Sequence, residues 1–548
     1  MKQTINNKLS ILIAGILLLN SCSSDKDFLE EEFKGKLDVE TGFLSKAQFN
    51  GLSAAMYRNV QYFYNSADGD KDAWILGLGT DICFNPQNAT TKYNNWALVN
   101  STDNYSGDWY SRQYDIIKVA NTIIKGAENP GVSWVSEDEK NSTIAEARFF
   151  RGFAYRNLAN VFGGVPIVTE PFTEAKDDFV RNTREECWAF AKADLEYAGT
   201  YLPLTTTSPG RVVRAAADHF LAEVDISLKD YEGAIVAATR VIDQADGSYS
   251  LVNARFGARA SETNKDYYWD LFVMGNQNRQ TGNEEGIWVA QFEVGSNGAS
   301  VLGGVPIYNR PLAERLMWCA FWSLTKIGYN GVPNDTTGRG VGFIRPSNYT
   351  NYTIWENSGN DMRNNEINVK RNYYFGADVP GYSKGDLIPQ SFFTVSEDTM
   401  RYVYPNWQKF GTDKHINAIP DNGYVRDFYI VRLPETYLLR AEAYLNINRT
   451  NLAAADINVI RQRAQAPLIS ADDVTLNYIL DERARELYGE EFRMLTLGRL
   501  GLIYERTKAY GSDAAKASIQ EYNNLMPIPL TSIQRNVGKK LDQNPGYE

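Results

Sequence analysis

Apolar residues recur at helical spacing over two stretches of the chain, about 45–245 and about 434–510. Within the first, 218–224 reads as a helix, 229–233 as a tight turn and 234–242 as a second helix. Small residues stand where the two helices must approach, which is the pattern of a tetratricopeptide-type hairpin. Residues 436–446 and 452–464 form a similar pair, with Pro434 where a helix start tolerates it. Pro467 ends that pair. Between the two stretches, over 248–432, Gly, Asn, Tyr and Pro crowd together, and runs such as 286–292 read as short strands bounded by turns. A second loop-rich insert, 62–109, interrupts the first helical stretch. Trp109, Tyr110 and Tyr114 lead into a helix at helical spacing and read as core. The expected fold is therefore mainly α: a tetratricopeptide-like superhelix of helical hairpins, with loop-rich inserts and a few short strands. On this reading the helices are the scaffold and the inserts carry function.

The N-terminus assigns the compartment. Lys2 and Lys8 precede a short apolar run over 11–19, far below the roughly 20 residues that span a bilayer. Then comes Leu19-Asn20-Ser21-Cys22, which resembles a lipoprotein signal: a thiol that can be alkylated by a diacylglyceryl group, preceded by a small residue. The expected organisation is a signal peptide over 1–21, lipidation at Cys22 and an acidic, flexible tether over 22–44. A helical region follows over 45–247, then a C-terminal region over 248–548 that divides into a loop-rich ligand segment (248–432) and a helical segment (433–548). Several acyl chains, at about 0.8 kcal/mol per buried methylene, anchor such a protein permanently.

Charge and composition exclude some functions. The formal net charge of -11 argues against a nucleic-acid partner, because phosphate binding needs a basic face. Only two histidines are present, His219 and His415, which argues against a His-rich catalytic zinc. The four cysteines, Cys22, Cys83, Cys187 and Cys319, have neither zinc-site nor disulfide-framework spacing. Asp68, Asp70 and Asp72 alternate as in a calcium loop and form a weak calcium candidate. Ala73 and Gly79, however, stand where an EF-hand needs its Gly and its bidentate Glu. No cofactor is otherwise expected.

Sugars present flat C–H patches and a rim of hydroxyls, so a site for them needs aromatic platforms with amides or charges at the edge. Tyr93, Asn94, Asn95 and Trp96 in the first insert meet that need. So do Trp318, Trp322, Tyr329 and Asn330 in the second, with Trp74 and Trp355 as further candidates. Any one of these rings also suits a packed core.

Five segments in order resemble the SusD/RagB family of outer-membrane nutrient-binding lipoproteins. They are 145–155 with 162–167, 431–435 with 440–444, 458–464, 482–487 with 491–493, and 526–529 closing on 543–547. The stretch 495–499 departs from the family's usual Asp before Leu and aromatic after Arg. The resemblance implies a non-enzymatic surface protein with a glycan ligand and a SusC-like TonB-dependent transporter as partner, located at the outer membrane and facing the cell exterior. A peptide ligand, as on the RagB side, is the alternative, and a glycoside hydrolase is a third reading. Physically, Glu146, Arg148, Arg151, Glu482, Arg483, Arg485 and Glu486 sit at spacings that suit ion pairs fixing the superhelix.

Overall fold

The computed structural model describes residues 45–63, 72–88, 91–172, 174–292, 301–302, 305–306, 313–334, 337–411 and 426–547. Cys22, the signal peptide, the tether and His415 lie outside them, as do Asp68 and Asp70 and the side chain of Asp72.

The helices of eight residues or more among the described residues are α1 (Lys46–Tyr62), α2 (Asn104–Ala127), α3 (Glu137–Phe162), α4 (Arg184–Tyr201), α5 (Arg214–Ser227) and α6 (Tyr231–Ile242). After the long insert come α7 (Leu433–Asn446), α8 (Thr450–Arg463), α9 (Leu476–Leu487), α10 (Arg493–Leu500) and α11 (Ile503–Tyr510). Each of α1 to α5 packs on the next, α5 on α6 and α7 on α8, which is the hairpin series the spacing predicts. The insert does not break the stack: α6 packs directly against α7, and one apolar core runs from Phe49 to Tyr547. Side-chain caps set several starts. Asp103 accepts the backbone N–H of Ser106, so α2 begins at Asn104, inside the stretch expected to be loop up to 109. Asp230 caps α6 in the same way after Lys229 turns the chain with φ 64°.

The strands are short. Gly286–Ala290 (β2) pairs antiparallel with Phe428–Arg432 (β8) across a bulge, which pins the two ends of the long insert together. Trp288 of β2 lies edge-on among Phe149, Phe150, Phe153 and Phe220, with centroids 5.2–6.1 Å away, and its Nε1 donates to the Gly210 carbonyl at 3.1 Å. The insert is thus plugged into α3 and α5 by an indole. Cys83–Phe84 (β1) pairs with Arg345–Pro346 (β5), which joins the first insert to the second. Val301–Leu302 (β3) pairs with Val305–Pro306 (β4), and Val369–Lys370 (β6) with Asn406–Trp407 (β7).

A buried ionic web fastens the insert to the helices. Arg432 at the end of β8 reaches Glu285, Glu486 (2.9 Å) and Glu490 (2.5 Å), while Arg463 reaches Glu285 (3.0 Å) and Glu486 (2.5 Å). Arg363 of the insert joins Asp361 (2.6 Å), Glu482 (2.8 Å) and Glu486 (3.0 Å). Burial alone would raise the Glu486 carboxyl, but Arg463, Arg432, Arg363 and Lys409 together hold it down at about 2. The charges singled out by spacing are therefore structural, and most of their partners lie on other elements. Arg151 is bidentate to Asp194 (2.7 and 2.9 Å), linking α3 to α4. Glu146 takes Arg211 at 2.7 Å, and Arg483 takes Glu435 (2.5 Å) and Glu491 (2.7 Å). In the departing stretch 495–499, Arg499 is bidentate to Glu442 at 2.8 and 2.7 Å. A Cβ on Gly498 would come within 2.4 Å of the Asn160 carbonyl oxygen, so only glycine lets α10 close on the end of α3.

Candidate functional site

The β1–β5 pairing opens a cleft of about 640 Å³ where the two inserts meet the end of α11. Phe84 and Asn85 approach it from the first insert, and Arg345, Asn348 and Tyr349 from the second, while Tyr510 closes α11. Local chemistry fixes each one. Asn94 staples the first insert, its Oδ1 accepting from the Asn85 N–H at 3.0 Å and its Nδ2 donating to the carbonyls of Asn85 (2.6 Å) and Asn88 (3.0 Å). Ser347 caps the single helical turn over 348–351 by accepting from the Thr350 N–H at 3.2 Å, and this aims Tyr349 at α11.

Tyr349 and Tyr510 stack at 3.8 Å with 20° between their planes. Arg506 lies 4.5 Å from the Tyr510 ring centroid and 5.4 Å from that of Tyr349. It is itself held by Asp81 at 2.9 Å and Asp481 at 2.7 Å. The Tyr349 hydroxyl donates to Asp481 at 2.7 Å, and burial followed by that carboxylate raises its pKa. The result is a rigid aromatic wall with amides beside it, a surface suited to a sugar face and its hydroxyls.

The structure distributes the rings singled out from sequence differently. Trp74 (2% exposed) stacks on fully buried Tyr93 at 5.3 Å, Trp96 meets Tyr93 edge-on at 5.2 Å, and the Trp96 Nε1 donates to the Gly79 carbonyl at 2.9 Å. Trp318 and Trp355 are also buried, their indole N–H groups donating to the carbonyls of Trp407 (2.8 Å) and Thr350 (2.9 Å). This corrects the expectation for these five rings: their faces are covered by protein and none is a platform. Asn94 reaches the cleft but is buried and spends its amide on the loop. Asn95 is a local cap accepting from the Ala97 N–H at 3.1 Å, and exposed Asn330 accepts from the Val332 N–H at 3.0 Å. Trp322 and Tyr329 remain half-exposed on a separate loop, bonded to the carbonyls of Gly340 (2.7 Å) and Tyr374 (3.2 Å).

Sequence reasoning passed over Arg345, Tyr349 and Tyr510. Residues 347–352, an Asn- and Tyr-rich run like 93–96, carry the signal that would have found Tyr349. Tyr510 has no local signal, since its partner is 161 residues away. Cys83, Cys187 and Cys319 are free and buried. Among the described residues no group of His, Cys, Asp and Glu could hold a metal, and no helix is long and apolar enough to cross a membrane.

A helical-hairpin scaffold carrying an aromatic cleft with amides at its edge is an architecture suited to binding. Two family profiles match the chain: "Starch-binding associating with outer membrane" over 27–226 and "SusD family" over 319–547. The chain belongs to the SusD/RagB family, a family of binding proteins and not of enzymes. SusD-like protein P2 of Formosa agariphila is 26% identical, covering 97% of this chain and 98% of its own. A SusD-like protein of Bacteroides ovatus is 24% identical, covering 94% and 88%. Among solved structures, a laminarin-binding SusD-like protein superposes with a TM-score of 0.68 at 21% identity, over 92% of this chain and all of that one. Surface glycan-binding protein A from Bacteroides fluxus gives 0.66 at 20%, again over 92% and all of the other chain. These likenesses establish the mainly helical fold.

Proposed function

We propose that this protein captures glycan in the cleft between its two inserts and delivers it to a SusC-like TonB-dependent transporter, from a lipid anchor at Cys22 on the outer face of the outer membrane. The observation that carries the reading is the Tyr349–Tyr510 wall, held rigid by Arg506 and flanked by Asn348 in a 640 Å³ cleft. The laminarin-binding and surface glycan-binding neighbours point to the same class of ligand. Covering about 100 Å² of aromatic surface contributes roughly 2.5 kcal/mol at most. After immobilisation costs, the expected affinity is about millimolar to micromolar, which suits a protein that hands its ligand on.

The test is affinity electrophoresis and calorimetry of the full chain in detergent against a panel of polysaccharides. Binding that Tyr510→Ala weakens supports the reading, and indifference to every glycan defeats it. Peptides recovered by mass spectrometry from the native complex would favour the peptide alternative. For the partner, the lipoprotein should co-purify with a large outer-membrane protein from gently solubilised cells. Confinement to the membrane plane raises its effective concentration near such a barrel. Cys22→Ala should keep the fold and ligand binding but impair surface retention and uptake. If the wild-type protein emerges alone and uptake survives its deletion, delivery to a transporter is wrong.

A further inference from the structure

Buried arginines in this protein are as a rule surrounded by carboxylates. Arg363, Arg432, Arg483 and Arg493 each contact at least two. Arg345 is 7% exposed and lines the cleft, yet it makes no ion pair among the described residues. Its Nη1 donates to the Pro346 carbonyl and its Nη2 to Asn348 Oδ1, both at 3.1 Å, while its Nε finds no acceptor among the described residues. Two of the five guanidinium N–H groups are thus used. Phe84 and Tyr404 flank the guanidinium at 5.4 and 5.7 Å and fix its plane. Burial pushes its pKa below the ordinary arginine value, and only tyrosines offset that. Arginine nevertheless stays charged. A buried cation without a counter-charge is unfavourable unless an anion reaches it. Lys516 lines the same cleft without an ion pair among the described residues, and Asp513, the acidic side chain of the lining, is exposed.

We infer that this cleft selects glycans bearing an anionic substituent, a uronate carboxylate or a sulfate ester, with Arg345 engaging the anion while the Tyr349–Tyr510 wall holds the adjoining sugar. The inference rests on the glycan reading above and narrows its substrate class. A planar guanidinium can donate two parallel N–H bonds to either anion, which a neutral hydroxyl cannot match. The chain's overall charge of -11 repels polyanions in general, so a preference for them must come from a local site.

The test is calorimetry of the full chain in detergent with two matched pairs: oligogalacturonate against its methyl ester, and a carrageenan oligosaccharide against its desulfated backbone. The expected result is roughly tenfold or greater preference for the acidic member of at least one pair, weakening with added salt. Which pair responds tells carboxylate from sulfate. Arg345→Gln, verified as folded by its melting curve, should abolish the preference, read as the ratio of acidic-member to neutral-member affinity within each pair. If that variant does not fold, the wild-type comparison within each pair decides alone. Equal binding within both pairs, or preference for the neutral members, overturns the anionic inference and leaves the glycan reading standing. Binding to an acidic peptide with none of the four saccharides bound overturns both, and binding of no probe at all overturns the anionic inference.

Discussion

Arg432 and Arg345 are both buried and both belong to two-stranded ladders of the long insert, but their surroundings are opposite. Arg432 lies where the insert meets α8 and α9, facing Glu285, Glu486 and Glu490. Arg345 lies where the two inserts meet each other, beside rings and amides and no carboxylate among the described residues. The first seam is electrostatically complete, so its charges fix the insert on the scaffold and leave nothing to offer a ligand. The second keeps hydrogen-bonding capacity and an aromatic face next to an open volume, which is what recognition of a polar ligand requires. The difference separates the charges that build the molecule from those that are free to act.

Breaking the completed seam should give the largest effects. Glu486→Ala leaves Arg363, Arg432 and Arg463 short of a shared anion and should destabilise the protein by about 3–5 kcal/mol in urea unfolding. A change below about 1 kcal/mol would mean the web does not hold the insert. Trp96→Ala should cost about 3–5 kcal/mol as well, because it empties a buried indole site. Glycan affinity per folded molecule should survive that substitution, and its loss would return Trp96 to the list of platforms.

Acid should attack the same web. The carboxyls of Glu486 and Glu223 are each held at about 2 against an ordinary 4.5: burial raises both, and the surrounding arginines outweigh it. Both folded values are depressed, so the stability they contribute is fully present above 4.5 and is lost as pH falls toward 2. The contribution of these two carboxylates should hold down to about pH 5, and melting midpoints should fall steeply below 4.5. A flat profile to pH 3 would remove these carboxylates from the stability account.

At the second seam the effects are smaller and fall on affinity. Tyr510→Ala should weaken glycan binding by about 1–2 kcal/mol, with little change in melting point, since the ring stands at the end of α11. An unchanged affinity would move the site away from this cleft. The smallest expected effect lies on the scaffold, at Asp246. Burial and then the hydrogen bond to Asp218 raise the Asp246 carboxyl from 3.8 to about 8. Stability from its neutral form is therefore present below 3.8 and lost as pH rises through 8. Asp246→Asn should gain about 1 kcal/mol over the wild type by neutral pH, with an advantage that grows up to about pH 8 and then levels off in thermal melts.

Much of the scaffold was legible in the chain because helical hairpins write their contacts locally. Alanines at the crossing of α5 and α6, Pro434 in the first turn of α7 and Asp230 at an N-cap each act over a few residues. The start of α2 differs from the expected one because Asp103, inside the stretch expected to be loop up to 109, already caps it. The site was far less legible. Composition pointed to the two inserts, which do meet at the cleft, but it could not tell which rings face outward. Tryptophans drew attention for their size, and size is also what places Trp74, Trp96, Trp318 and Trp355 in the core.

Helix order, the loop-rich texture of the stretches between helices and the family resemblance were readable in the chain, since each depends on periodicity and short motifs. It takes the packed molecule to show that α6 and α7 are neighbours across the long insert, that Tyr349 stacks on Tyr510, and that Arg345 meets no carboxylate among the described residues. Those facts depend on which distant side chains share a volume. Burial and charge compensation are properties of that shared volume, and no local pattern of residues encodes them.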